Sequence, residues 1–291
     1  MDISAKLAVF GSVNLDIVAT GPALPAPGET VTDAVLAFHP GGKGANQALA
    51  ANRLGGNISL FARVGSDDTA NKALYLLKEN GVDLTGVLID SNAKTGVALI
   101  AVNDVGENQI IVAPGANDQL TPQQALSSFD QSSPHDGILC QLEIPVETIV
   151  ALAEYAKANN QFFALNAAPA KSLPYSIFEN IDLLVVNENE AAFYGDHLSI
   201  CKGLIAITYG ARGAALFKGK KQIAKASPPK VSAIDTTGAG DAFTAALTLA
   251  LVQKHNPEDA LKFACAVGAF ATTKPGAQPS FGTAKEIAAQ F

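Results

Sequence analysis

The chain has 291 residues, 48% of them hydrophobic, and its 20 basic against 27 acidic side chains leave a formal net charge of −7. That length suits one large domain or a domain with a small appendage, and the acidic balance without a Lys/Arg cluster excludes duplex nucleic acid as an expected partner. No apolar run reaches the ~18 residues of a membrane span, and Met1 to Phe10 lacks the basic start and long apolar stretch of a signal peptide, so a soluble, cytoplasmic protein is expected.

Along the chain, short apolar runs alternate with helical patterns. Leu7–Phe10 reads as a strand, Ala45–Leu54 as a helix, Ile58–Ala62 as a strand and Thr69–Asn80 as a helix. Further on, Gly137–Gln141, Phe162–Asn166, Leu183–Asn187 and Leu204–Thr208 read as strands. Pro145–Asn159 and Tyr175–Asn180 read as helices among them, and Ala242–Gln253 and Pro257–Thr273 as helices after them. Continuous apolar strands between helices imply an α/β fold whose mostly parallel central sheet is covered by helices on both faces. Ser12–Ala37 and Thr95–Ala113 break the rhythm with extended runs and turn signals; Val97–Val102 and Gln109–Val112 flank a loop as a hairpin does. The expected division is therefore an α/β domain of residues 1–11, 38–94 and 114–291, with a small β-sheet of residues 12–37 and 95–113 inserted as a lid.

Cys140, Cys201 and Cys265 form no C-x-x-C pair and are odd in number, which fits free thiols in a reducing compartment. His39, His135, His197 and His255 lack metal-ligand spacing.

The most informative run is Ile234-Asp235-Thr236-Thr237-Gly238-Ala239-Gly240-Asp241-Ala242-Phe243. Gly238, Ala239 and Gly240 precede a long apolar helix, where free N–H groups and the helix dipole make an anion site. An acid there suits a phosphoryl group over the N–H groups while Asp241 takes a proton from an attacking hydroxyl; the alternative is an Asp N-cap on a Gly-rich turn. In Gly41-Gly42-Lys43-Gly44-Ala45-Asn46-Gln47 the glycines let a ligand approach the backbone, and Lys43 and Asn46 add donors on one helix face. No Ser or Thr follows the lysine, so this is not a Walker loop. Asn14 and Asp16 share one side of an extended run and suit two sugar hydroxyls, or a turn. Glu143 ends a strand, as substrate contact or helix cap. Asn187 and Glu190 stand three apart at a helix start, as a magnesium–phosphate pair or a capping box. Thr208 to Gly213 is a Gly-rich turn open to a nucleotide.

These segments, in this order, resemble the ribokinase branch of the PfkB carbohydrate-kinase family, nearly end to end from Gly11-Ser12-Val13-Asn14-Leu15-Asp16 to Gly276-Ala277-Gln278-Pro279-Ser280. Gly41–Gln47 and Asp235–Asp241 correspond to its two signatures. The resemblance implies a ribokinase-like fold and ATP-dependent phosphorylation of D-ribose at its primary 5-hydroxyl. It implies Asp241 as base, with Gly238, Ala239 and Gly240 as the anion hole. It places the sugar among Asn14, Asp16, Gly42, Lys43, Gly44, Ala45, Asn46, Glu143 and Asp241. The nucleotide falls to Asn187, Thr208, Gly210, Gly213, Gly240 and Cys265. Magnesium accompanies ATP near Glu190 through water, and an activating potassium ion lies in the loops of Asp235, Thr237, Ala271, Lys274, Gly276 and Ser280, largely on backbone carbonyls. It also implies a homodimer through the lid sheet. Departures are Cys265 where some relatives carry His or Asn near adenine, His39-Pro40 before the glycines, Asn166-Ala167-Ala168-Pro169, and a short Tyr194–Lys202. Alternatives are a family kinase for deoxyribose, fructose or adenosine, a non-catalytic sugar-binding regulator on the same fold, and a Rossmann oxidoreductase, which lacks its glycine fingerprint.

Overall fold

The computed structural model describes residues 4–291; Met1 to Ile3, where the sequence reading of the N-terminus begins, lie outside the described residues. The strands are β1 (Lys6–Phe10), β2 (Asn14–Gly21), β3 (Val35–Gly41), β4 (Asn57–Gly65), β5 (Val87–Asp90), β6 (Gly96–Asn103), β7 (Asn108–Ala113), β8 (Gly137–Gln141), β9 (Phe162–Asn166), β10 (Leu183–Asn187), β11 (Leu204–Thr208), β12 (Ala214–Lys218) and β13 (Lys221–Ala226). The helices are α1 (Lys43–Arg53), α2 (Asp68–Glu79), α3 (Pro122–Asp130), α4 (Val146–Ala158), α5 (Tyr175–Phe178), α6 (Glu188–Tyr194), α7 (Ala239–Val252), α8 (Pro257–Ala271) and α9 (Ala284–Gln290).

A nine-stranded sheet runs in the order β13-β12-β11-β10-β9-β8-β1-β4-β5. From β11 to β5 neighbours pair in parallel, while the β12–β13 hairpin closes one edge antiparallel. Residues of alternate parity enter opposite layers: Leu7 and Val9 of β1 join one apolar core, Ala8 and Phe10 the other, and Leu183/Val185 against Leu184/Val186 of β10 divide the same way. A strand buried on both faces is why these runs read as continuously apolar. Helices α1, α2, α7 and α8 fill the first layer, and α3, α4 and α5 the second.

Four strands, β3-β2-β6-β7, form a separate small sheet. β3 continues through position 37 to Gly41, so the sheet runs directly into the turn that starts α1. This extends the boundary drawn at 37. α7 begins at Ala239, ahead of the expected Ala242, because Gly238 adopts the left-handed conformation (φ 78°) at the cap. The short stretch after α6 is a 3-10 turn, Gly195–Ile200, in place of a longer surface helix. No helix among the described residues is long and apolar enough to cross a membrane.

Candidate active site

The parallel strands β1, β8, β9, β10 and β11 all end at one edge of the sheet, the place where open α/β sheets bind ligands. Asn14, Gln141, Asn166, Asn187 and Thr208 lie at or just beyond those ends. After β1 the chain turns through Ser12 and Val13 into β2. Asn14 is buried, and its Oδ1 accepts from Asn117 Nδ2 at 2.8 Å; Asn117 Oδ1 in turn accepts the Val13 N–H at 2.9 Å. Glu143 Oε2 accepts from Ser12 Oγ at 2.5 Å and from the Lys43 N–H at 3.1 Å. The Gly44 and Ala45 N–H groups return to Ser12, at 3.4 Å to its Oγ and 2.9 Å to its carbonyl, so α1 starts against the end of β1. Gly42 makes this turn with φ 89°, and a Cβ there would lie 2.8 Å from the Asn14 nitrogen and the Ser12 oxygen. Only glycine fits.

Three carboxylates and an ammonium meet here. Asp16 is pushed up to about 6, by burial first and then by the neighbouring charges of Glu143 and Asp241. Lys43 is held above the ordinary lysine range by Asp241 first; burial opposes, and Glu143 and Glu190 add to the rise.

Asp241 sits in the first turn of α7, buried, with each oxygen occupied: Oδ2 accepts from Asn46 Nδ2 and Oδ1 from Gln47 Nε2, both at 2.9 Å. Asn46 Oδ1 is buried without a protein partner, an acceptor left for a ligand hydroxyl. The Ala239 N–H already donates to the Thr236 carbonyl at 3.2 Å, so the amides of Gly240 and Asp241 are the first-turn groups left facing outward. Gly238 is required by its φ and by Ala277, 2.7 Å from where its Cβ would be. Gly240 is different: a Cβ there meets nothing within 4 Å and its φ is not left-handed. Neither packing nor backbone conformation demands that glycine, which leaves room for a ligand as the reason for it.

Two clefts join at Thr208 and Gly240. The smaller is lined by Lys43, Asn166, Asn187, Glu190, Gly238 and Asp241. Asn187 and Glu190 form a capping box, with Asn187 Oδ1 accepting the Glu190 N–H at 2.9 Å and Glu190 Oε2 accepting the Asn187 N–H at 2.7 Å. Glu190 also faces the cleft, and burial raises its carboxyl against the opposing Asn187 N–H and Lys43. Capping and a place on the cleft wall thus coexist. The larger cleft, about 460 Å³, is mostly apolar and lined by Gly210, Gly213, Pro228, Val231, Phe243 and Cys265. Its volume and apolar lining suit an aromatic base. The Cys265 thiol is pushed up to about 11 by burial, so it is an apolar wall and not a nucleophile.

Asp235 and the 271–280 loop meet beside the start of α7. Asp235 accepts from the Thr237 N–H at 2.9 Å, Thr237 Oγ1 at 2.7 Å and the Gly276 N–H at 2.7 Å. Burial pushes its carboxyl up, but those bonds outweigh burial and hold it below the ordinary range. Ala271 and Ser280 are buried, and Gln278 is wholly buried with both amide atoms unpartnered. Lys274 is exposed with its ammonium 5.2 Å from the Phe270 ring centroid, so only its carbonyl could serve a cation. No group of three or more His, Cys, Asp or Glu among the described residues forms a metal cage.

Residues 4–284 match the family model of the pfkB family carbohydrate kinases. The chain belongs to that family. It is a carbohydrate kinase, with the ribokinase-like fold. It is 36% identical over 288 residues to the ribokinase of Bacillus subtilis, covering 97% of this chain and 98% of the relative. Its fold is similar to the crystal structure of Thermotoga maritima ribokinase, with a TM-score of 0.89 at 32% identity and 98% of each chain covered. It is also similar to the structure of Arabidopsis thaliana ribokinase complexed with ribose and ATP, with a TM-score of 0.88 at 30% identity and 98% of each chain covered.

The sequence reading missed several supporting groups. Gln47 holds Asp241 and is itself held by Gln141 and Asn166, Asn117 holds Asn14, and the Pro228–Val231 loop walls the larger cleft. Gln47 closes the glycine motif and Asn166 closes a strand, so both stood in visible segments. Asn117 lies 103 residues from Asn14, and nothing local announces it.

Proposed function

We propose that the protein transfers the γ-phosphoryl group of ATP to the 5-hydroxyl of D-ribose, giving ribose 5-phosphate and ADP. The carrying observation is Asp241, its carboxylate held at both oxygens by Asn46 and Gln47 where the sugar-side residues meet the two clefts. Ribose lies against Asn14, Asp16, Lys43, Asn46 and Glu143. Its 5-hydroxyl gives its proton to Asp241 as the O5–P bond forms and the bond from the γ-phosphorus to the bridging β–γ oxygen breaks, and ADP leaves with that oxygen. The first-turn amides of α7 face the transferred group. Positioning and electrostatics supply most of the rate in such transfers. Asn187 and Glu190 would meet, through water, the magnesium that accompanies ATP, which would neutralise phosphate charge. The nucleotide base takes the larger cleft along Gly210, Gly213 and Cys265. The loops of Asp235 and Ser280 hold an activating potassium ion.

The small sheet acts as a lid that excludes water, and its outer face pairs two copies into a homodimer. Leu36, Phe38, Leu99 and Ile111 are exposed there, on the face opposite Asp16, an apolar patch that suits burial against a second copy. The three cysteines are free and buried, in keeping with the cytoplasm.

The test is ADP release from ATP and Mg²⁺ with D-ribose, 2-deoxyribose, fructose and adenosine in turn. Ribose-dependent turnover is expected; turnover with another acceptor alone moves the specificity, and sugar binding without turnover refutes a kinase. Asp241→Asn should lower kcat by about 10²- to 10⁴-fold while ribose Kd stays within a few-fold.

A further inference from the structure

We infer that Gln47 is a positioning residue for the phosphoryl transfer, fixing Asp241 as a hydrogen-bond acceptor through a relay of amides anchored on a backbone carbonyl. The inference rests on Asp241 as the base. The relay starts at the Val185 carbonyl in β10, which can only accept. Asn166 Nδ2 donates to it at 3.2 Å. That sets which way the Asn166 amide points, so its Oδ1 must face Gln47, where it accepts from Nε2 at 2.9 Å. The second hydrogen on the same Nε2 goes to Asp241 Oδ1 at 2.9 Å. On the far side, Gln141 Nε2 donates to Gln47 Oε1 at 2.7 Å. Rotating the Gln47 amide by half a turn would set its oxygen against two acceptors, Asn166 Oδ1 and Asp241 Oδ1. The polarity is therefore imposed by the fold, from a group that cannot change role.

Burial protects this order from water. Gln47 and Gln141 are 0% exposed, Asn166 7% and Asp241 6%. Gly11 makes room for it, since a Cβ there would lie 2.0 Å from Gln141 Oε1. Asn46, beside Gln47 in the first turn of α1, donates to the other Asp241 oxygen at 2.9 Å. With an N–H aimed at each oxygen, the carboxylate is held in one orientation as an acceptor on both sides. Gln47 lines neither cleft, so it acts through Asp241 and not on substrate.

Gln47→Met keeps the side-chain length and removes the donors. The variant should lose roughly 10- to 100-fold in kcat, the worth of a hydrogen bond to a charged group. Ribose Kd, read by calorimetry, should stay within about threefold, so that the loss falls on kcat and not on sugar binding. Lys43, Asp16, Glu143 and Glu190, the charges around the same carboxylate, are untouched. Gln141→Met removes only the anchor of Gln47. It should give a smaller loss in the same direction, and the double variant should be no worse than Gln47→Met alone, as for groups acting in series. Thermal unfolding establishes that each variant is folded; should Gln47→Met not fold, a loss of kcat at unchanged ribose Kd in Gln141→Met decides. A folded variant with unchanged kcat, or one whose ribose Kd weakens as much as its kcat falls, overturns the relay. Asp241→Asn in the same assay separates the two readings. If it keeps its turnover the base assignment falls; if it loses turnover while Gln47→Met matches the parent, only the relay falls.

Discussion

Asp16→Asn should make the sugar-free protein more stable and the enzyme nearly inactive. The Asp16 carboxyl stands at about 6 against an ordinary 3.8, raised by burial first and then by Glu143 and Asp241. The folded chain thus binds this proton more tightly than the unfolded chain, and stability falls as pH rises through that window. A rise of about two pH units, at 1.36 kcal/mol each, costs the folded state about 3 kcal/mol once Asp16 is ionised. Asparagine carries no charge to desolvate but still needs partners for its amide, so the variant should recover about 1–3 kcal/mol at pH 7.5. At roughly 2 °C per kcal/mol for a chain of this size, Tm should rise by about 2–6 °C. Thermal unfolding without sugar at pH 7.5 and at pH 4.5 reads this directly, and the gain should shrink at the lower pH, where Asp16 is already protonated in the folded protein. Ribose turnover should fall by at least about 100-fold, since a charged carboxylate accepting sugar hydroxyls becomes a neutral amide with a donor in place of one oxygen. A variant less stable than the parent at pH 7.5, or a gain indifferent to pH, would refute the reasoning.

The same group makes sugar binding pH-dependent. Below about pH 6 in the free enzyme, ribose Kd should weaken by up to tenfold per unit, with proton release on binding seen as a buffer-dependent calorimetric enthalpy. Gly240→Ala should leave Tm unchanged or up to about 1 °C higher, since no atom opposes the methyl and the helix gains rigidity. Its kcat/KM for ATP should nonetheless fall at least about tenfold as the methyl enters the space where the clefts join; full activity would remove the ligand from that point. Exchanging potassium for sodium should lower turnover, and Asp235→Asn should erase the difference between the two ions, measured as ADP release at fixed ionic strength.

The central sheet was legible because its strands are buried on both faces. Gly137–Gln141, Phe162–Asn166, Leu183–Asn187 and Leu204–Thr208 match their observed bounds residue for residue. Each is a compact apolar run bounded by polar or turn residues. The elements that escaped notice have mixed patterns. β13 alternates Lys and Gln with Ile and Ala at a sheet edge, and β5 is four residues long at the other edge. α3 buries only Ala125 and Phe129, so its apolar spacing is faint, although Thr121 and Gln124 carry a full capping box that announces its start. α9 buries Ile287 alone, with Thr283 and Glu286 as its capping pair. Capping chemistry was the readable signal in both helices, and hydrophobic periodicity was not.

The site divides along a different line. The residues proposed to touch ligand cluster in short runs such as Gly41–Gln47 and Asp235–Asp241, because one turn of backbone presents several groups to one small molecule. Residues that hold those groups come from wherever the fold happens to pass. Gln141 and Asn166 reach Asp241 through Gln47 from the ends of two strands, and no spacing in the chain records that meeting. Even within one motif the letters conceal different causes. Gly238 and Gly240 look alike in sequence, yet the first is demanded by a left-handed φ and the press of Ala277, while the second has neither constraint and opens onto the clefts. A substitution at Gly238 should therefore damage folding and one at Gly240 should damage function alone, and that separation of Tm from kcat/KM is a distinction the sequence by itself cannot make.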